Sequence, residues 1–181
     1  VDVEEVVGTP TGKPAMNLKP GESLVAAFAA PDESEVLLVA SNAQAMRCAA
    51  DAVPIQGRGA GGVAGMKLAS GASVVGAGLA DEGAVVLSVT DGQTAKVTDA
   101  SEIPTKGRNT AGLRLTKFRK EKRLEWAWVG HEGDVLVIVG QADAPSKPDP
   151  SPEPLTIPHT GRDLVSKSTK RRMLDIGFGR W

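Results

Sequence analysis

Tyrosine is absent from the 181 residues, and aromatic residues make up 3% of the chain: Phe28, Phe118, Phe178, Trp126, Trp128 and Trp181. Chemistry that needs a tyrosine nucleophile is excluded, and so is the stacked aromatic platform on which single-strand binders hold bases. Cys48 is the only cysteine, and His131 and His159 are the only histidines. No disulfide framework or Cys/His metal site can be assembled from them, and a reducing compartment is expected. Apolar runs never reach the length of about 18 residues that a spanning helix needs. The start, V1DVEEVVGTP10, is acidic where a secretory leader would be basic and then apolar. The expectation is a soluble cytoplasmic chain without a membrane partner.

What is present begins with charge. The net charge of -1 hides an asymmetry: residues 1–95 carry 5 Lys+Arg against 11 Asp+Glu, whereas residues 96–181 carry 16 against 11. The basic residues cluster at Lys106, Arg108, Arg114, Lys117, Arg119, Lys120, Lys122 and Arg123, and again at Lys167, Lys170, Arg171 and Arg172. Such clusters attract polyanions by counterion release, and the plain alternative is a solvated charged face.

An internal repeat organises the chain. A shift of 50 lays G57RGAGGVAGMKL68 on G107RNTAGLRLTKF118, and G83AVVLSV89 on G133DVLVIV139. Upstream, A15MNLKPGESLVAAF28 falls on G65MKLASGASVVGAG78, and S41NAQAMR47 falls on T90DGQTAK96 at a shift of 49, which implies a one-residue indel. The last copy, T160GRDLVSK167, keeps Gly161 and Arg162, 54 residues after Gly107, but has Ser166 where the others have glycine. About three units are present.

Segments of five to eight residues between turn signals leave no room for long helices. L124EWAWV129 is expected to place Leu124, Trp126 and Trp128 on one face, with Glu125 and Ala127 on the other. D134VLVIV139 reads as a strand buried on both sides. The Ala-rich stretches at 24–30 and 43–53 have helical propensity, which their alignment with β-rich copies overrules. Q141ADAPSKPDPSPEPLTIP158 holds six of the twelve prolines and reads as an extended surface loop that does not continue the sheet. Leu174, Ile176 and Phe178 alternate as a last strand. The fold class is therefore all-β: a propeller-like array of about three four-stranded antiparallel blades, a fragment or open arc because a ring takes at least four. The divisions fall at 1–62 for the first blade with its flank, 63–112 for the second, 113–165 for the third with its insertion at 141–158, and 166–181 for the tail.

The sharpest local signal is the Gly-Arg turn. Gly57, Gly59, Gly61 and Gly62 give backbone able to take positive φ and approach a ligand, and Arg58 offers a planar fork suited to phosphate. The same turn recurs with Gly107 and Gly112, and with Gly161. G57RGAGG62 also satisfies the dinucleotide fingerprint in letters, but no helix opens at its third glycine. The structural alternative is a connection between blades in which the arginine staples neighbouring carbonyls. His131 and His159 lie in turn or Pro-rich sequence, as solvated loop histidines do, so a hydrolytic enzyme has little behind it.

The repeated G-R-x-x-x-G turn, with an apolar-Lys-apolar strand after it and a D-G turn leading to a basic position before it, resembles the C-terminal β-pinwheel domain of bacterial type IIA topoisomerase A subunits, gyrase and topoisomerase IV. The resemblance spans roughly residues 15–140. It implies blades that exchange a strand with their neighbours and a basic outer rim around which duplex DNA bends. It puts Arg58, Arg108 and Arg162 in the turns, Arg47 and Lys96 at the basic position after the D-G-type turn, and Lys67 and Lys117 on the following strand. With Lys106, Arg114, Arg119, Lys120, Lys122 and Arg123, these residues other than Arg47 would form the DNA-binding set. The gyrase box, roughly Q-R-R-G-G-K-G, is met by Q56GRGAGG62 only at Gln56, Arg58, Gly59 and Gly62, which favours topoisomerase IV. The implied function is a non-catalytic, sequence-nonspecific DNA-bending module, nucleoid-associated in the cytoplasm, with no cofactor, metal or small-molecule substrate of its own. Its parent would be an ATP- and Mg-using heterotetramer with the ATPase B subunit. A propeller-type protein-interaction scaffold, suggested by the acidic first half and Trp181, is the competing expectation.

Overall fold

A computed structural model of the chain describes residues 1, 3–5, 8, 13–140 and 151–178. Its thirteen strands follow in chain order as β1 (Glu35–Ala40), β2 (Gln44–Ala49), β3 (Val74–Leu79), β4 (Val85–Thr90), β5 (Thr94–Asp99), β6 (Leu113–Arg114), β7 (Thr116–Lys117), β8 (Leu124–Gly130), β9 (Val135–Gly140), β10 (Ser151–Pro154), β11 (Leu164–Val165), β12 (Lys167–Ser168) and β13 (Arg172–Phe178). Among the described residues helix is confined to single 3₁₀ turns. The architecture is all-β with open antiparallel sheets, as the spacing of turn signals predicts.

Each inner pair is a tight hairpin, and later segments complete it. One four-stranded sheet has the order β3-β1-β2-β6, the next the order β12-β5-β4-β8, and β9 lies between β10 and β13. The sheets therefore cross the divisions at 62 and 112, because β3 and β6 belong to the sheet of β1 and β2. A parallel pair, β7 with β11, joins two segments that both lie within 113–165. Both faces of the central strands are covered: Leu37 and Val39 meet Val86, Leu124, Ala127 and Val129 in one apolar cluster, and Val85, Leu87 and Val89 meet Val97, Val137 and Met173 in another. All six residues of β4 are buried, Ser88 and Thr90 among them, and those two hydroxyls are bonded to Thr116 (3.2 Å) and Thr94 (2.8 Å).

The register sets the repeat at 50 throughout the first two hairpins. Leu37 lies opposite Arg47 and Leu87 opposite Val97, and the positive φ values at Ala43 (61°) and Gln93 (55°) match. The one-residue indel expected there does not exist. Arg47 corresponds to Val97, and Lys96 corresponds to Met46, so the two basic residues lie on opposite faces of their strands.

Bulges correct the simple alternation. Val89 pairs with Trp126 but Thr90 with Leu124, so Glu125 is skipped and the face inverts. Leu124 thus joins Ala127 and Val129 in the first cluster, while Trp126 and Trp128 pack on the second. The same irregularity skips Val75 in β3 and Leu174 in β13. Leu174 is therefore exposed while Met173 is buried and Ile176 packs on the second cluster.

The Pro-rich insertion also departs from expectation. Its first ten residues lie outside the described residues, but Ser151–Pro154 forms β10, paired antiparallel with β9. The prolines are tolerated because β10 is an edge strand, where a missing N–H need not break a ladder. The Ala-rich segment 24–30 is neither helix nor part of a sheet, whereas most of 43–53 is β2.

Candidate nucleic-acid interface

The two basic runs of the sequence, some 50 residues apart, meet at one turn. Asp91–Thr94 joins β4 to β5. On one side the Glu121 carboxylate accepts the Thr94 hydroxyl at 3.0 Å, and Asp91 accepts the Lys122 amide at 3.0 Å. On the other, the Thr169 amide and hydroxyl donate to the Gln93 carbonyl at 3.1 and 3.0 Å. Lys117, Arg119, Lys120, Lys122 and Arg123 are all exposed on the first side, and Lys167, Lys170, Arg171 and Arg172 on the second. Lys122, Arg123 and Arg172 line one groove together with Asn42 and Ser70.

Glu121 gives the first segment its shape. Its carboxylate takes the backbone amides of Arg119 (2.7 Å) and Lys120 (3.0 Å) as well as the Thr94 hydroxyl. Burial opposes the charged form, but these donors outweigh it and hold the carboxyl below its ordinary range. The acid thus draws the backbone inward while the four basic neighbours project. Composition alone shows only the cations here. The available signal was Glu121 itself, the one acid in K117FRKEKR123, standing where the other units have Gly21 and Gly71. In the second unit the same turn, A69SGAS73, is uncharged.

The remaining expected positions are placed differently. Lys67 and Lys106 are exposed; the Lys67 amide bonds Thr110 and the Lys106 amide bonds the Arg47 carbonyl. Arg47 is engaged by Glu35 and the Ala100 carbonyl. Arg58 is half-buried, 3.9 Å from Glu5. Arg108 donates to the carbonyls of Ala52 (3.1 Å) and Ala64, and Arg162 donates to that of Arg114 (3.3 Å). Ala64 and Arg114 are one repeat apart, so Arg108 and Arg162 staple backbone carbonyls at equivalent positions of successive repeats. Arg114 itself is held bidentately by Asp163, and each partner favours the other's charged form. The glycines expected to take positive φ do so only at Gly62 (77°) and Gly112 (76°). Gly57, Gly59, Gly107 and Gly161 do not, and Asn109 and Asp163 (both 63°) make the left-handed bend instead.

Lys96 must be removed from the rim. Its side chain is fully buried, and its Nζ donates to the carbonyls of Gly161 (2.9 Å) and Leu164 (3.2 Å), closing the last Gly-Arg turn. Burial is the main cause that drives its pKa down to about 8, against the pull of Glu102 and Asp163. The unfolded chain holds this proton up to about pH 10.4, so between pH 8 and that value it binds more protons than the folded chain. Stability should accordingly rise with pH through this window. In Lys96→Met, which restores the residue of the first hairpin, that rise is expected to flatten. Urea titrations at pH 8 and pH 10 check it, and an unchanged slope would assign the proton elsewhere.

The histidines are tied to carboxylates and carbonyls. His159 is held between Glu132 (2.9 Å) and Asp99 (3.0 Å), with Glu132 the main cause of its raised pKa, and His131 bonds the Glu82 carbonyl. Among the described residues no His, Cys, Asp and Glu group could hold a metal ion, and no helix is long and apolar enough to cross a membrane. Trp181 lies outside the described residues.

Comparison with known proteins bears on this arrangement. The family model of the DNA gyrase C-terminal domain, a β-propeller, matches residues 3–31, 34–81 and 84–124. Among solved structures, the C-terminal domain of DNA topoisomerase IV superposes with a TM-score of 0.77 at 20% identity, over 92% of this chain and 53% of that one. The DNA gyrase A C-terminal domain gives 0.73 at 19% identity, over 93% and 58%. The E. coli ParC C-terminal domain gives 0.64 at 15%, over 91% and 68%. The chain thus spans a little over half the length of the first two. No curated protein matches it in sequence.

Proposed function

The chain belongs to the DNA gyrase C-terminal domain family of β-propellers, and from that premise we propose that it is a non-catalytic DNA-binding module of a type IIA topoisomerase A subunit, which bends duplex DNA along a basic ridge. The observation that carries this reading is the meeting of Lys117–Arg123 with Lys167–Arg172 at the Asp91–Thr94 turn, which gathers nine exposed cations from two units. Cations spaced along one edge neutralise successive phosphates and make a bent path favourable without reading bases. Smoothly bending 20–30 bp costs on the order of 1–6 kcal/mol, which several charge-assisted contacts offset. The missing basic residues at Gly57 and Gly61 favour the topoisomerase IV type of subunit. Partnership with an ATPase B subunit, and ATP and Mg chemistry in other parts of the assembly, follow from the same reading.

The test is binding to a linear duplex of about 40 bp between 50 and 200 mM salt. With six phosphates neutralised, affinity is expected to fall about 10³-fold across that range. Absence of binding at 50 mM would overturn the proposal.

A further inference from the structure

Both ring nitrogens of His159 face a carboxylate. Nδ1 lies 3.0 Å from Asp99, the last residue of β5, and Nε2 lies 2.9 Å from Glu132, in the 3₁₀ turn Glu132–Asp134 that leads into β9. A carboxylate only accepts, and a neutral imidazole donates from one nitrogen alone. The neutral ring would turn a lone pair towards one of the two acids, so only the imidazolium satisfies both. Glu132 foremost, and Asp99 with it, favour the charge over the opposing effect of burial.

The two acids belong to different sheets. β5 is an inner strand of the second sheet and β9 the centre of the third, and Val97 of the one shares an apolar cluster with Val137 of the other. The backbone around His159 is tied to β5: a parallel bridge pairs it with Val97, whose carbonyl accepts the Thr160 amide at 2.8 Å. The imidazole is what reaches on to Glu132. In the preceding repeat the same parallel bridge joins Arg47 to Thr105, 54 residues before His159 as Gly107 is before Gly161. There the Thr105 hydroxyl donates to Glu35 of β1, a bond with no proton to lose near neutrality. Histidine in place of that threonine makes the contact titratable and extends it to a second sheet. Of the other charged groups at this end of the hairpins, Asp81 faces His131 at 3.6 Å and Glu102 accepts the Arg162 amide at 2.6 Å. Among the described residues no other cation pairs with Asp99 or Glu132.

We propose that His159, as the imidazolium, is a pH-sensitive clasp that holds the third sheet onto the second. Its stabilisation is whole below about pH 6.5, the unfolded value, and is lost as the pH rises through the higher folded value. The clasp closes the end of the β4-β5 hairpin away from the Asp91–Thr94 turn. Because β13 of the third sheet begins at Arg172, the clasp also bears on how the cations of that sheet stand against Lys117–Arg123. That last consequence rests on the reading of the ridge given above.

The experiment titrates the His159 ring by NMR and follows amide hydrogen exchange on either side of its midpoint, corrected for the intrinsic dependence of exchange on pH. The ring should titrate above the ordinary histidine value of about 6.5, and Glu132→Gln should bring the midpoint down. Across the midpoint, protection of the β9 and β13 amides should fall roughly 5-fold while that of β1 and β2 is unchanged. In His159→Gln, which offers the same acids an uncharged side chain, β9 and β13 should show the lower protection throughout and no step. Every other titrating group is common to both chains, so the difference belongs to His159. A ring midpoint at or below the ordinary value, or an equal step in His159→Gln, would overturn the proposal. At 50 mM salt the parent should lose roughly 3-fold more duplex affinity across the midpoint than His159→Gln does, and equal losses would overturn the link to the ridge. Ring titration and exchange need no DNA. A chain that shows both but binds no duplex loses the ridge and keeps the clasp, whereas one that binds duplex and shows neither loses the clasp alone.

Discussion

Replacing Gly76 by alanine should lower the melting temperature by roughly 6–12 °C, because there is no room for a methyl group where two sheets touch. A Cβ at Gly76 would stand 2.2 Å from the Ala127 carbonyl oxygen and 2.6 Å from its carbon, and one at Gly78 would stand 2.5 Å from the Val129 oxygen. The obstacle is backbone, which cannot turn aside as a flexible side chain would. β8 is also pinned on its other side by six registered pairs with β4, from Val85 with Gly130 to Thr90 with Leu124. Either β8 shifts and strains that ladder, or the sheets separate and open the cluster of Val39, Val86 and Val129. Overpacking of this kind costs about 3 kcal/mol at its upper range, and each kcal/mol moves the midpoint of a chain this size by about 2–4 °C. Gly57→Ala is the matched control, since nothing lies within 4 Å of the added atom and its φ is ordinary. A calorimetric midpoint for Gly76→Ala within a degree of the parent would mean that β3 and β8 are not in this contact.

The glycine pair shows what a single sequence makes visible and what it hides. The repeat was legible because its strongest marks are local: a Gly-Arg pair at 57, 107 and 161, a D-G-type turn, and apolar runs of strand length. These suffice for the fold class and for the succession of hairpins. The bulges at Val75, Glu125 and Leu174 were not legible, since a skipped residue leaves composition unchanged while reversing every face beyond it. The assignment of Arg47 and Lys96 to one position failed for a related reason. Matching basic letters drew the alignment to a shift of 49, whereas the ladder and the positive φ at Ala43 and Gln93 hold it at 50. Strands as short as β6 and β12 carry no periodicity to read, and their place depends on edges supplied from far along the chain. In the candidate site, the cations of 117–123 were evident from composition. That Arg108 and Arg162 are staples, and that Lys96 is a buried donor, follows only from which carbonyls come within reach.

Charge removal and charge arrangement can be separated at the ridge. Combining Lys117→Ala, Arg119→Ala, Lys120→Ala and Lys122→Ala removes four exposed cations, so melting should change little while duplex binding weakens strongly. Each neutralised phosphate contributes about 0.9 to the logarithmic salt slope, or roughly 15-fold in affinity between 1 M and 50 mM salt. If only two of the four engage phosphates, binding at 50 mM falls about 200-fold and the slope drops by about 2. A variant that binds as tightly as the parent at 50 mM would remove the ridge from the interface. Glu121→Ala then distinguishes arrangement from sum. It makes the segment one unit more positive, so a model of summed charge predicts tighter binding. The carboxylate, however, fixes the amides of Arg119 and Lys120 and reaches across to Thr94. Without it the four cations lose their common frame and pay the ordering entropy on binding. Weaker binding by Glu121→Ala, roughly 3- to 10-fold at 50 mM with the salt slope unchanged, is the expected result; tighter binding would reduce the ridge to its net charge.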